Sequence, residues 1–159
     1  MKICVFAGSF DPFTKGHEFV VDKCLELFDK VIVALGVNTN KTPMFSSFER
    51  KEMIMENYAS NPRVQVEEFN GMLVDFMKEH NATIYVRGVR DVDDYKYETT
   101  MERYNRDMFN EMTTIFIPTP KELVHVSSSA MRNIISLNSD ISEYVPSAVC
   151  EYIKKVTKK

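Results

Sequence analysis

The stretch GSFDPFTKGH, Gly8 to His17, follows directly on the apolar run Lys2 to Ala7. Its order is that of a strand, a tight loop and a helix start. This gathers backbone N–H groups, the positive end of a helix dipole and an imidazole where a phosphate can sit. Gly8 and Gly16 are its only glycines, so neither the G-x-x-x-x-G-K-[ST] nor the G-x-G-x-x-G spacing is present. The distinctive part is T-x-G-H, Thr14 to His17. Residues three apart on a helix share a face, which points Thr14 and His17 together above the first turn.

Outward from this segment, apolar and β-branched runs recur at Lys30 to Val37, Val64 to Phe69, Thr83 to Val86 and Thr113 to Ile117, with helix-period segments between them. All but Val64 to Phe69 are nearly continuously apolar, as expected of strands covered by helices on both faces. The predicted fold class is α/β: a doubly wound, five-stranded parallel sheet of Rossmann-like type. Helices are expected over Gly16 to Phe28, from a Ser46/Glu49 capping box to Tyr58, over Gly71 to His80 and over about Asp91 to Asn110. Two more begin near Ser127 and Pro146, and Lys154, Lys155, Lys158 and Lys159 form a basic, dipole-compatible end. With no repeats or linkers, residues 1–159 read as one domain, long enough to bury roughly two-thirds of its unfolded surface.

Composition narrows the function. The chain is 44% apolar and 27% charged with a net charge of -3, which argues against a general nucleic-acid or membrane-surface binder. Cys4, Cys24 and Cys150 are odd in number, far apart in sequence and free of C-x-x-C spacing, so they read as small buried hydrophobes in a reducing compartment. The first apolar run is too short for a signal peptide and no run reaches membrane-spanning length, so a cytoplasmic location is expected. His80 and His125 have no metal-ligand spacing, which argues against a protein-held zinc.

In an open parallel sheet, ligands bind beyond the carboxyl ends of the strands where the winding reverses. Four loops fall on that edge: Gly8 to His17, Asn38 to Phe45 with Lys41, Arg87 to Arg90, and Pro118 to Ser129. They bring cations, hydroxyls and a second helix start, a rim suited to a polyphosphate. Arginine holds phosphate oxygens through two parallel hydrogen bonds, so Arg87 and Arg90 on one tight loop suit such a ligand better than surface pairing does. At least one of Ser127, Ser128 and Ser129 reads as a plain N-cap. Asp11 beside Pro12 reads as a turn residue. Tyr97 and Glu98 lie on a helix whose charged face needs only solvent.

These segments, GSFDPFTKGH with NKTPMF (Asn40 to Phe45), VRGVRD (Val86 to Asp91), YE (Tyr97 to Glu98) and VSSSAMR (Val126 to Arg132), resemble those of the bacterial phosphopantetheine adenylyltransferases. That family falls in the T/H-x-G-H nucleotidyltransferase superfamily. The chain departs from the common pattern at Ala7, Lys15 and Val89, and is less typical over Leu123 to Val126. The resemblance implies transfer of AMP from ATP to 4'-phosphopantetheine, magnesium as cofactor, coenzyme A as a possible feedback ligand and a homohexamer. Carried over by position, it implies catalytic roles for His17, Lys41 and Arg90. ATP would be lined by Ser9, Phe10, His17, Gly88, Val89 and Arg90. Glu98 and the segment Leu123, Val124, His125, Val126, Ser127, Ser128 and Ser129 would complete that lining. Ser9, Lys41, Leu73 and Arg87 would hold phosphopantetheine. The alternatives are a superfamily member with another acceptor or CTP, and a nucleotide-binding module without activity.

Overall fold

A computed structural model describes residues 1–158; Lys159, counted above in the basic end, lies outside the described residues. Five strands, β1 (Ile3–Gly8), β2 (Lys30–Gly36), β3 (Val64–Phe69), β4 (Ile84–Val89) and β5 (Thr113–Pro118), form one sheet in the order β3-β2-β1-β4-β5. Every pairing is parallel. Six helices join them: α1 (Lys15–Leu27), α2 (Ser47–Asn57), α3 (Leu73–Glu79), α4 (Val92–Met108), α5 (Ser128–Ser136) and α6 (Ser147–Thr157), with a 3-10 turn at Lys121–Leu123. The chain winds outward from β1 to β3, then returns to lay β4 against the free side of β1. The reversal therefore falls between β1 and β4.

Strand periodicity divides the core into two. Cys4 and Phe6 of β1, with Val31, Val33 and Leu35 of β2, face α1, α2, α5 and α6. The alternate residues Val5, Ala7, Ile32 and Ala34 face α3 through Val74, Phe76 and Met77. Full burial of each large aliphatic or aromatic side chain among them contributes about 1.5–3 kcal/mol, so the two half-cores fix which residues of each strand face which layer of helices.

Three differences from the sequence reading matter. Strand β4 runs on through Arg87, Gly88 and Val89, which are not a loop: they pair in register with Phe116, Ile117 and Pro118 of β5. The ladder, invisible in the local apolar pattern, extends the strand into polar residues. Strand β5 is an edge strand on which Thr113 is exposed, Ile117 alone is buried and the residues between are half-buried, with Phe116 against Tyr95 of α4 and Ile115 and Ile117 on the other face, so its cover is thinner than that of the central strands. Finally, Cys4 and Cys24, twenty positions apart, meet in the core, where the neighbouring Cys4 thiol and, with it, burial push the Cys24 pKa far up. All three cysteines are free and buried. No helix among the described residues is long and apolar enough to cross a membrane.

Candidate active site

The crevice between β1 and β4 holds a cavity of about 350 Å³. Its floor is made by the strand ends, Ala7 and Gly8 on β1 and Arg87 and Gly88 on β4. Gly88 is required for this closeness: a Cβ there would lie 2.9 Å from Cγ2 of Val20 on α1. Beyond Gly8 the backbone turns through Phe10, whose φ of 50° is in the left-handed region and tips its ring inward. Phe10 is buried against Phe6, Phe13 and His17.

Thr14 caps α1, and the residue three positions on, where a capping box ordinarily has Glu or Gln, is His17. The Thr14 backbone N–H donates to Nδ1 of His17 at 3.0 Å, and the His17 N–H donates to Thr14 Oγ1 at 3.4 Å. A backbone N–H can only donate, so Nδ1 is an acceptor and the ring proton sits on Nε2. Burial among Phe6, Phe10 and Phe13, with the positive charges of Arg87 and Arg90 adding to it, lowers the His17 pKa from 6.5 to about 3. The ring is therefore a neutral Nε2–H donor at the cavity wall.

Arg87 is fixed from two sides. Nη1 donates to the Ala7 carbonyl at 2.6 Å, and Nη2 pairs with Glu98 Oε1 at 2.6 Å. Burial opposes its charge, yet Tyr85 and Glu98 hold its pKa above the ordinary value. Its Nε is buried without a hydrogen-bond partner in the protein, a donor left over for an anion. Arg90 is tethered to Asp94, with Nε to Oδ2 at 3.0 Å and the Arg90 backbone N–H to the same oxygen at 3.1 Å. On the far wall Ser127 caps α5 by accepting from Ala130, Ser128 Oγ donates to the Pro12 carbonyl, and Ser129 Oγ accepts from Arg132.

The structure thus brings together Ser9, Phe10, His17, Arg87, Gly88 and Arg90, with Glu98 and the segment Val126 to Ser129 completing the wall. It does not bring all of the expected residues to this cavity. Lys41 is exposed on the loop after β2, and Leu73 opens α3 and packs on the α3 side of the sheet. Val89 ends β4, and Leu123, Val124 and His125 lie in and after the 3-10 turn, with the His125 ring against Tyr144. None of these six lines the cavity. Glu98, which the charged face of its helix left to solvent, is the counter-charge of Arg87. Asp94 and Arg132 line the cavity without having been singled out. The spacing of four between Arg90 and Asp94 on a helix start was the available signal for the first. Arg132 carried none beyond its place in VSSSAMR.

No three carboxylate, imidazole or thiol groups among the described residues converge to hold a metal ion. The two carboxylates of the cavity are each bonded to an arginine. The side chains present do not fit a protein-held magnesium.

A family model described as cytidylyltransferase-like matches residues 5–134. The phosphopantetheine adenylyltransferase of Clostridium perfringens (strain ATCC 13124) is 39% identical over 155 residues, 98% of this chain and 94% of that protein. The protein of the same name from Porphyromonas gingivalis (strain ATCC 33277) is 42% identical over 145 residues, 91% of this chain and 94% of its own. The fold also matches a bifunctional NMN adenylyltransferase/ADP ribose pyrophosphatase from Francisella tularensis, with a TM-score of 0.78 and 20% identity. That match covers 99% of this chain and 50% of the other. A neutral histidine donor and two arginines at the switch point of a doubly wound sheet, in a chain so alike end to end, place it among the cytidylyltransferase-like proteins and, within them, in the phosphopantetheine adenylyltransferase family.

Proposed function

We propose that this chain transfers the adenylyl group of ATP to 4'-phosphopantetheine, giving dephospho-coenzyme A and pyrophosphate. The observation that carries the reading is the His17 Nε2–H donor, neutral and held by the backbone, on the wall of a cavity that Arg87 and Arg90 also line. The attacking group is a phosphate monoester, whose second pKa of about 6 leaves it mostly dianionic at neutral pH. It needs no general base. One of its oxygens attacks the α-phosphorus of ATP in line, a new P–O bond forms, and the bond to the bridging oxygen of pyrophosphate breaks with its electron pair. His17 donates to an α-phosphate oxygen as charge builds there, and the site's contribution is alignment and charge stabilisation.

Arg90 and the start of α5 face the β and γ phosphates, Arg87 positions the acceptor phosphate through its free Nε–H, and Lys41 reaches both reactants from its loop. Magnesium is proposed to arrive on the ATP phosphates and to neutralise them, as part of the substrate rather than a resident ion. The proposed homohexamer needs an apolar surface to bury between copies, and α4 carries one: Tyr97 (64% exposed), Met101, Tyr104 (59%) and Met108 form an outward stripe at helical spacing. Coenzyme A contains both halves of the product, which supports the reading that it competes for this same cavity as a feedback ligand. A cytoplasmic setting accords with three free, buried cysteines.

The test is pyrophosphate release by the purified protein, with ATP or CTP and with 4'-phosphopantetheine, glycerol phosphate or nicotinamide mononucleotide as acceptor. Release with ATP and phosphopantetheine is expected. Preference for another pair, or none, would overturn the reading.

A further inference from the structure

Lys41 is the one proposed catalytic residue that the cavity does not hold, and nothing local explains how its loop finds a fixed place. At its near end the segment after β2 begins with a turn in which Asn38 Oδ1 accepts the Asn40 N–H at 2.9 Å and the Asn38 carbonyl accepts the Lys41 N–H at 3.3 Å. Its far end is tied to residues distant in sequence. The Asp11 carboxylate, 6% exposed, accepts the Met44 N–H on Oδ2 at 2.9 Å and the Phe45 N–H on Oδ1 at 3.0 Å. Arg50, on α2 and 4% exposed, donates from Nε to the Phe45 carbonyl at 3.0 Å and from Nη1 to the Ser9 carbonyl at 2.7 Å. Arg132 donates to the Asp11 carbonyl at 2.8 Å, holding the loop that carries the carboxylate.

These bonds join the same two pieces of chain. Ser9 and Asp11 belong to the phosphate-facing loop after β1, and Met44 and Phe45 end the Lys41 segment. A buried guanidinium and a buried carboxylate are costly to leave unpaired, and hydrogen bonds to charged groups are about twice as strong as neutral ones. A turn residue needs neither a partner more than thirty positions away nor a second buried ion fixing the same joint. We infer that Asp11 and Arg50 are positioning residues: a hydrogen-bonded clamp that sets the Lys41 segment against the phosphate-facing loop. The inference rests on the reading that Lys41 acts on the reactants.

The experiment compares Asp11→Asn and Arg50→Lys, each made alone and together with Lys41→Ala, with thermal unfolding as the check on folding. Misplacement of a catalytic group by about 1 Å can cost a hundredfold, so we expect Asp11→Asn to lose about tenfold or more in kcat/KM for phosphopantetheine. Arg50→Lys, which keeps the charge but not the two-armed reach, should lose less. In the Lys41→Ala background both losses should shrink to under about twofold, because coupled residues are not additive. Full additivity, or full activity of Asp11→Asn alone, would overturn the clamp. Backbone amide exchange separates the two readings. If Lys41→Ala proves fully active, the role of Lys41 falls; faster exchange at Met44 and Phe45 in Asp11→Asn, together with the acceptor-specific loss, then still supports the clamp, and unchanged exchange overturns it. Should Asp11→Asn fail to fold, the same comparisons made on Arg50→Lys decide.

Discussion

The wall of the cavity and the Lys41 segment supply charge to the proposed reaction in opposite ways. On the wall, His17 is enclosed by three phenylalanines and Arg87 is fastened to the Ala7 carbonyl and Glu98. Their donors are in place before any ligand arrives. Lys41 sits exposed on a loop, secured at the Met44–Phe45 end. Immobilising such a side chain costs up to about 2 kcal/mol of rotamer entropy, a cost the wall has already met on folding. Substitution of the wall's His17 should therefore strike turnover, and substitution in the segment should strike use of the acceptor.

The most severe test of that contrast is His17→Ala. Losing one preorganised donor to developing charge is worth about 100 to 1000-fold in rate, with ATP affinity falling only modestly. Near-normal turnover of the folded variant would break the contrast at its root. Next comes Lys41→Ala, for which we expect a loss of about 10 to 100-fold, the range of a hydrogen bond to a charged group, concentrated in kcat/KM for phosphopantetheine. An equal loss for both substrates would show the segment to be part of the wall after all. Smaller still is Gly88→Ala. Its Cβ would meet Val20 Cγ2 at 2.9 Å, forcing α1 away from β4, and overpacking of this kind costs about 1–3 kcal/mol by denaturant titration. The variant carrying Val20→Ala as well should recover part of that loss, and no recovery would mean the strain lies elsewhere.

The smallest expected effect is an absence. The His17 pKa is lowered from 6.5 to about 3 in the fold. Between those values the unfolded chain binds a proton that the native ring refuses, so this residue makes stability fall as pH drops from 6.5 towards 3. Over about pH 5 to 8 the native ring keeps one charge state, and its NMR signals should not titrate. An acid limb in kcat/KM near pH 6 then belongs to the second ionisation of the acceptor phosphate, about 6. A His17 titration in that range would remove the neutral-donor argument.

Much of this arrangement was legible in the sequence because it is local. The five apolar runs found all five strands, and the Thr14 to His17 spacing placed both residues on one helix start. What escaped was long-range. Arg87 to Val89 looked like a loop because the ladder to Phe116, Ile117 and Pro118 is invisible in their own polarity. Arg50 gave no signal at all, since its partners Ser9 and Phe45 are backbone carbonyls, which any residue supplies. Asp11 was read as a turn residue because its bonds to Met44 and Phe45 span more than thirty positions. The Cys4–Cys24 contact was missed for the same reason: sequence distance says nothing once a helix folds back on its strand.

The bond from the Thr14 amide to the His17 ring has a bearing on how far this chain can drift. Because the main chain makes it, Nδ1 is engaged and the proton kept on Nε2 by a backbone donor, to which the Thr14 hydroxyl, 3.2 Å from the same nitrogen, adds a second hold. Nineteen of the twenty amino acids carry that same N–H, and proline alone lacks it. The place of the proton is thus written into the course of the peptide, whereas the refusal of a second proton is lent by the phenylalanines and arginines around the ring, so drift is easier at position 14 than in that enclosure.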